Sequence, residues 1–147
     1  MEVVAAKVLI DWLRNRQQLL VPFNLDLRKL APAEAERVIH AMAAAAQADG
    51  TFDDTAKARL EAALEHVHAR QDQRTLAAHA LEKPAAMRDV LKDVKDAQTG
   101  AIFYAASLLA IDRRKNVNRR YLRYLAARLQ LSAELSRNLE RRFTAVS

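Results

Sequence analysis

The 147-residue chain has no cysteine, two glycines, three prolines and few aromatic residues. Without cysteine there are no disulfides, thiolate metal sites or cysteine nucleophiles. Two glycines cannot build a glycine-rich phosphate loop, and no serine stands in a Gly-x-Ser-x-Gly turn. The sequence therefore points away from an enzyme. No apolar run approaches the roughly 18 residues that cross a bilayer, so no membrane-spanning helix is expected. Met1–Leu20 has no basic stretch leading into a continuous apolar one, which argues against a secretory leader.

What is present in quantity is alanine, thirty residues of it. With so little glycine and proline to interrupt it, this composition predicts an all-α protein whose helices approach closely. The length suits one domain with a single core. The formal charge of +6 is unevenly placed: residues 1–112 are net −2 and residues 113–147 net +8. A near-neutral body with a basic C-terminal third favours an anionic partner.

Apolar spacing predicts a first helix over Val3–Leu20, with Val4, Val8, Leu9, Trp12, Leu13 and Leu20 near one stripe. Pro22 stops it, and Phe23–Leu30 reads as an extended connector with Leu25, Leu27 and Leu30 turned inward. The expected organisation is thus an amphipathic helix over 1–22 and a helical domain over 23–147. Pro32 suits the first turn of a second helix, which buries Val38, Ile39, Met42, Ala45 and Ala46. Gly50 is placed to take a left-handed conformation past its end. Asp53 or Asp54 can cap a third helix with Leu60, Ala63, Leu64 and Val67 inward. A break at Gln71–Asp72, a short helix to Leu81 and a stripe of Met87, Val90, Leu91 and Val94 follow. Thr99–Gly100 reads as a joint before AIFYAASLLAI, which is apolar nearly all round and so marks the central element. Asn116 or Asn118 can cap the next helix, with Leu122, Leu125, Ala126 and Leu129 inward. Ser132 caps the last, with Leu135, Leu139, Phe143 and Val146 inward. About seven helices result.

The architecture repeats once: an apolar helix ending at Ala48-Asp49-Gly50 and another ending at Ile111-Asp112-Arg113 each lead through a turn into an amphipathic helix. Asp49 helps its turn and Asp53 or Asp54 caps a helix, or else the stretch Ala48–Leu60 is a cation site. Glu65-His66-Val67-His68 contains the Glu-x-x-His unit of di-iron bundles, but a second unit is missing, so His66 and His68 read as surface residues, as do His40 and His79. Ser107 reads as a small packing residue.

Three stretches, LRKLAPAEAERVIHAMAAAAQADGTFD, ASLLAID and YLRYLAARLQL, together resemble the TerB-like (tellurite-resistance B) helical domain, over roughly Asn24–Leu139. The likeness is nearest to a bacterial branch of membrane-associated TerB-like proteins. The resemblance implies an all-α bundle of about seven helices with an internal pseudo-repeat, and divalent-cation binding by acids of the two turns. Asp49 and Asp53 match the first acidic motif and Asp112 the start of the second. The family's next glutamate falls at Thr55 or Ala56, and its later acids fall near Arg114 and Asn118.

In the basic third, Arg113, Arg114 and Lys115 crown a turn, Arg119, Arg120 and Arg123 share one helix, and Arg137 and Arg141 are four apart on the last. Tyr121 and Tyr124 lie among them and could stack on bases. These observations lead to a non-catalytic TerB-like interaction module, cytoplasmic or peripheral at an inner membrane. Its expected partner is a protein or an anionic membrane surface, with homo-oligomerisation a further option. A divalent-cation-binding regulatory domain is the alternative, and nucleic-acid binding ranks third.

Overall fold

The computed structural model describes residues 25–143, and the regular elements among them are all helices, with no strand. A 3-10 turn at Leu27–Lys29 precedes seven α-helices: α1 (Pro32–Ala46), α2 (Asp54–His66), α3 (Gln71–Glu82), α4 (Met87–Leu91), α5 (Ala97–Ala110), α6 (Asn116–Arg128) and α7 (Ala133–Arg142). The first helix expected from the sequence, and Val146, lie outside the described residues. Among the described residues no helix is long and apolar enough to cross a membrane.

The most apolar helix dictates the arrangement. Every residue from Gly100 to Ile111 is buried, so α5 needs neighbours on all sides. It receives α1, α2, α6 and α7, and its contact with α1 is the most extensive among the described elements. The alanines of α1 make that approach close: Ala41, Ala43 and Ala45 are each 1% exposed. The other helices α2, α3 and α4 pack on α1.

The pseudo-repeat is a repeat of three helices. Helices α2 and α6 have 13 residues each. Both α2 and α3 are matched 62 positions later by the starts of α6 and α7. Both α2 and α6 end with a non-glycine residue in the left-handed region, His68 (φ 61°) and Gln130 (φ 56°). In each case the next amide reaches back to the last turn: Ala69 N to Leu64 O at 2.9 Å, Leu131 N to Ala126 O at 3.0 Å. These bonds satisfy carbonyls that a helix end otherwise orphans.

Several sequence expectations are corrected. Thr99–Gly100 is no joint: it lies in the first turn of α5, which Asp96 caps by accepting from Thr99 N at 2.7 Å. Gly100 is needed for packing, since a Cβ there would stand 3.3 Å from Leu131 Cδ2 and 3.4 Å from Leu129 O. Neither Asn116 nor Asn118 caps α6; Lys115 holds the N-cap position and Asn118 is buried, its Nδ2 donating to Asp112 O at 2.9 Å. The break expected at Gln71–Asp72 falls at Val67–Arg70, where the His68 backbone reverses the chain, and Gln71 opens α3. The connector before α1 is not wholly extended, because Asp26 accepts from Arg28 N and tightens a 3-10 turn. Leu25 and Leu27 are buried while Leu30 is half-buried. Helix α4 stops at Leu91, leaving Val94 in the following loop. Ala126 is half-buried rather than core.

Other expectations hold. Asp53 caps α2 through Ala56 N at 2.9 Å, and Ser132 caps α7 through Leu135 N at 3.1 Å. Gly50 has φ +83°. Ser107 packs in the core and donates to Phe103 O at 2.9 Å. His66, His68 and His79 are exposed.

The two glycines should respond differently to substitution. Gly50→Ala has open space around it and should cost about 1 kcal/mol from left-handed strain alone. Gly100→Leu must push the Leu129–Leu131 segment off α5 and should cost about 1–3 kcal/mol. Chemical denaturation of the two variants measures both.

Candidate functional site: two acidic turns sharing their cations

The packing of α1 against α5 brings the turns that follow them to the same place. Each helix delivers the negative end of its dipole there, and each turn adds an aspartate. Asp49, Asp53 and Asp112 line one pocket of about 190 Å³, together with Arg59, Arg114, Lys115 and Asn118 among others.

Asp49 and Asp112 fold their turns in the same way. Asp49 Oδ1 accepts from Thr51 N at 3.0 Å and Thr51 Oγ1 at 2.9 Å; Asp112 Oδ1 accepts from Arg114 N at 3.0 Å. Each carboxylate then receives a cation from the other half of the repeat. Lys115, in the second turn, places Nζ 2.5 Å from Asp49 Oδ2. Arg59, on α2 of the first half, places Nη2 3.8 Å from Asp112 Oδ2. Arg114 adds bonds from Nε and Nη2 to Asp112 at 2.9 and 3.0 Å.

These donors favour the ionised carboxylates. The Asp49 carboxyl is lowered to about 2, first by Lys115 and then by Thr51. That of Asp112 is also lowered to about 2, chiefly by Arg114. Lys115 and Arg114 are raised in turn by their aspartates. Asp53 is committed to capping α2.

A divalent cation does not fit this donor set. Hard cations such as Ca²⁺ take six to eight oxygens. Here an ammonium and two guanidiniums line the same space as three carboxylates. Among the described residues no group of three or more His, Asp or Glu side chains is disposed to hold a metal ion.

The basic residues expected to form one patch divide in two. Arg113 Nη1 donates to Glu140 O at 2.8 Å, and Arg119 Nη1 donates to Arg113 O at 2.7 Å and Arg114 O at 3.0 Å. With Arg114 and Lys115 on their aspartates, these four brace the second turn. Arg120, Arg123, Arg137 and Arg141 are exposed. None of them has an acceptor among the described residues. The two tyrosines also part. Tyr121 is half-buried, and burial pushes its hydroxyl up to about 12. Tyr124 is 49% exposed, with the Arg128 guanidinium 5.7 Å from its ring centroid and Arg128 Nη1 2.7 Å from its hydroxyl.

Arg59 was absent from the candidate residues, although the sequence carried a signal. It is a charged residue on the stripe of Ala56, Leu60 and Ala63, where only a buried partner could justify it.

An all-α domain built from two three-helix halves, the second opening on the buried helix α5, with an acidic turn after the first helix of each half, is the class that fold and site define. The chain belongs to the family described as Protein of unknown function (DUF533), whose model matches residues 2–143. No curated protein and no solved structure matches it.

Lys115→Met should destabilise the fold modestly, because it leaves the nearly buried Asp49 carboxylate without its ammonium partner. The pH dependence should change with it. A carboxyl depressed on folding stabilises the fold above its unfolded value and loses that contribution as pH falls through its folded value. Wild type should therefore weaken from about pH 4 down to about 2, the range set by Asp49. Lys115→Met should weaken less over that interval, as denaturation at stepped pH would register.

Proposed function

We propose that this is a non-catalytic, TerB-like interaction module that binds a protein partner or an anionic membrane surface through its basic C-terminal third. The observation that carries this is the exposure of Arg120, Arg123, Arg137 and Arg141 without internal acceptors among the described residues. Arginine without an internal partner keeps its full capacity for external carboxylate or phosphate. Exposed Val117 and Tyr124 on the same helix add apolar contact beside it. The TerB-like reading of the family rests on the sequence resemblance and is supported by the paired acidic turns and the three-helix repeat. A cytoplasmic position, or a peripheral one at an inner membrane, suits such a module, and the resemblance supplies a link to stress or tellurite resistance.

A second reading, a divalent-cation regulatory domain, draws on the convergence of Asp49, Asp53 and Asp112 on one pocket. It requires Lys115 to leave Asp49 first. Millimolar Ca²⁺ or Mg²⁺ should leave the melting temperature unchanged, and a rise reversed by chelator would favour this second reading. Nucleic-acid binding is third, with half-buried Tyr121 removed as a stacking platform.

The arginine reading predicts capture of acidic polypeptide or anionic vesicles at low salt and release as salt rises. Replacing Arg120, Arg123, Arg137 and Arg141 with alanine should weaken vesicle binding by roughly a thousandfold, at about 1 kcal/mol per arginine. Equal binding to neutral vesicles, or no loss in the variant, would remove the arginines from the mechanism.

A further inference from the structure

The outer side of α6 combines apolar contact with guanidinium donors. Val117 and Tyr124 are each 49% exposed, and their spacing of seven positions puts them on one face of the helix. Arg120 shares that face, three positions after Val117 and four before Tyr124, and Arg123 and Arg128 are exposed beside it. Arg128 is held in place by Tyr124: its guanidinium lies 5.7 Å from the ring centroid, and Nη1 donates to the hydroxyl at 2.7 Å. That bond uses one of its five N–H donors.

We infer, on the arginine reading proposed above, that this face docks an acidic segment of a partner protein, one in which carboxylates and apolar residues share a face. Charge complementarity sets the sign, since residues 113–147 are net +8. Two features select carboxylates on a protein over a lipid surface. Helices that lie on lipid sink a broad apolar face rich in Trp, Phe or Leu. On α6 the exposed large apolar side chains are Val117 and Tyr124, enough for a contact strip and too few for insertion. The second feature is the choice of cation. Adsorption to anionic lipid counts charge, and lysine serves it as well as arginine. Residues 116–147 hold seven arginines and no lysine, while residues 1–115 hold seven lysines, so this region takes its charge in guanidinium form. Arginine and tyrosine are enriched where proteins meet, and lysine is depleted there. The guanidinium fork gives a carboxylate two parallel bonds, which an ammonium cannot. From Val117 to Arg128 the strip runs about 17 Å, so about three turns of a partner helix cover it.

The test uses the full chain, a labelled peptide with Glu and Leu repeating at helical spacing, and phosphatidylglycerol vesicles. Arg120→Lys, Arg123→Lys and Arg128→Lys together keep the charge and remove the forks. This variant should bind the peptide roughly tenfold more weakly by fluorescence anisotropy, the equivalent of one charged hydrogen bond, and bind the vesicles as wild type does. Val117→Ser with Tyr124→Ser should also weaken the peptide roughly tenfold and spare vesicle binding. All five positions are exposed, so circular dichroism should be unchanged in both variants. Equal peptide affinity in wild type and the lysine variant would overturn the proposal, as would an equal loss on peptide and vesicles. Vesicle binding without peptide binding would overturn it too, leaving the arginine reading in place with lipid as the partner. If neither probe binds, both readings fall.

Discussion

Two helices whose C-terminal ends meet impose an electrostatic demand that the rest of this structure answers. Helices α1 and α5 bring their negative dipole ends to one place, and Asp49 and Asp112 follow them. Left alone, that concentration of negative charge would oppose the α1–α5 packing on which the core depends. The chain supplies its own cations, and supplies them crosswise. Lys115 from the second half neutralises Asp49 of the first, and Arg59 from the first half faces Asp112 of the second. The interface between the halves is thus electrostatic at its rim and alanine-rich at its centre. A charged residue on the inner stripe of α2 has its reason here.

The same exchange explains why the basic C-terminal third is not uniformly available to a partner. Arg113, Arg114, Lys115 and Arg119 are drawn into bracing the turn, by carboxylates or by backbone carbonyls left open near helix ends. Four arginines further along α6 and α7 keep their exposure.

Much of the fold was legible in the sequence because its strongest signals are one-dimensional. A helix apolar all round can only be central, and α5 is. Stripes such as Leu60, Ala63, Leu64 and Val67 marked the buried faces, and Asp53 and Ser132 announced their caps. The errors arose where a residue's local propensity was overridden by packing. Gly100 resembled a punctuation mark but is a close-approach residue inside a helix. Asn118 resembled a cap but is buried by the turn it fastens. The convergence of the three aspartates was legible through the repeat of Asp49 at Asp112. Their cations were not, because the pairing of Lys115 with Asp49 spans 66 positions and depends on how α1 and α5 lie together.

A double-mutant cycle between Asp49 and Lys115 tests the central claim, that protein cations rather than a metal hold the two turns together. Asp49→Asn keeps the oxygen that Thr51 bonds, so with Lys115→Met the cycle isolates the ionic contact. Equilibrium denaturation should give a favourable, clearly non-additive coupling, as expected for residues in direct contact. Strict additivity, with a coupling below about 0.3 kcal/mol, would contradict the account.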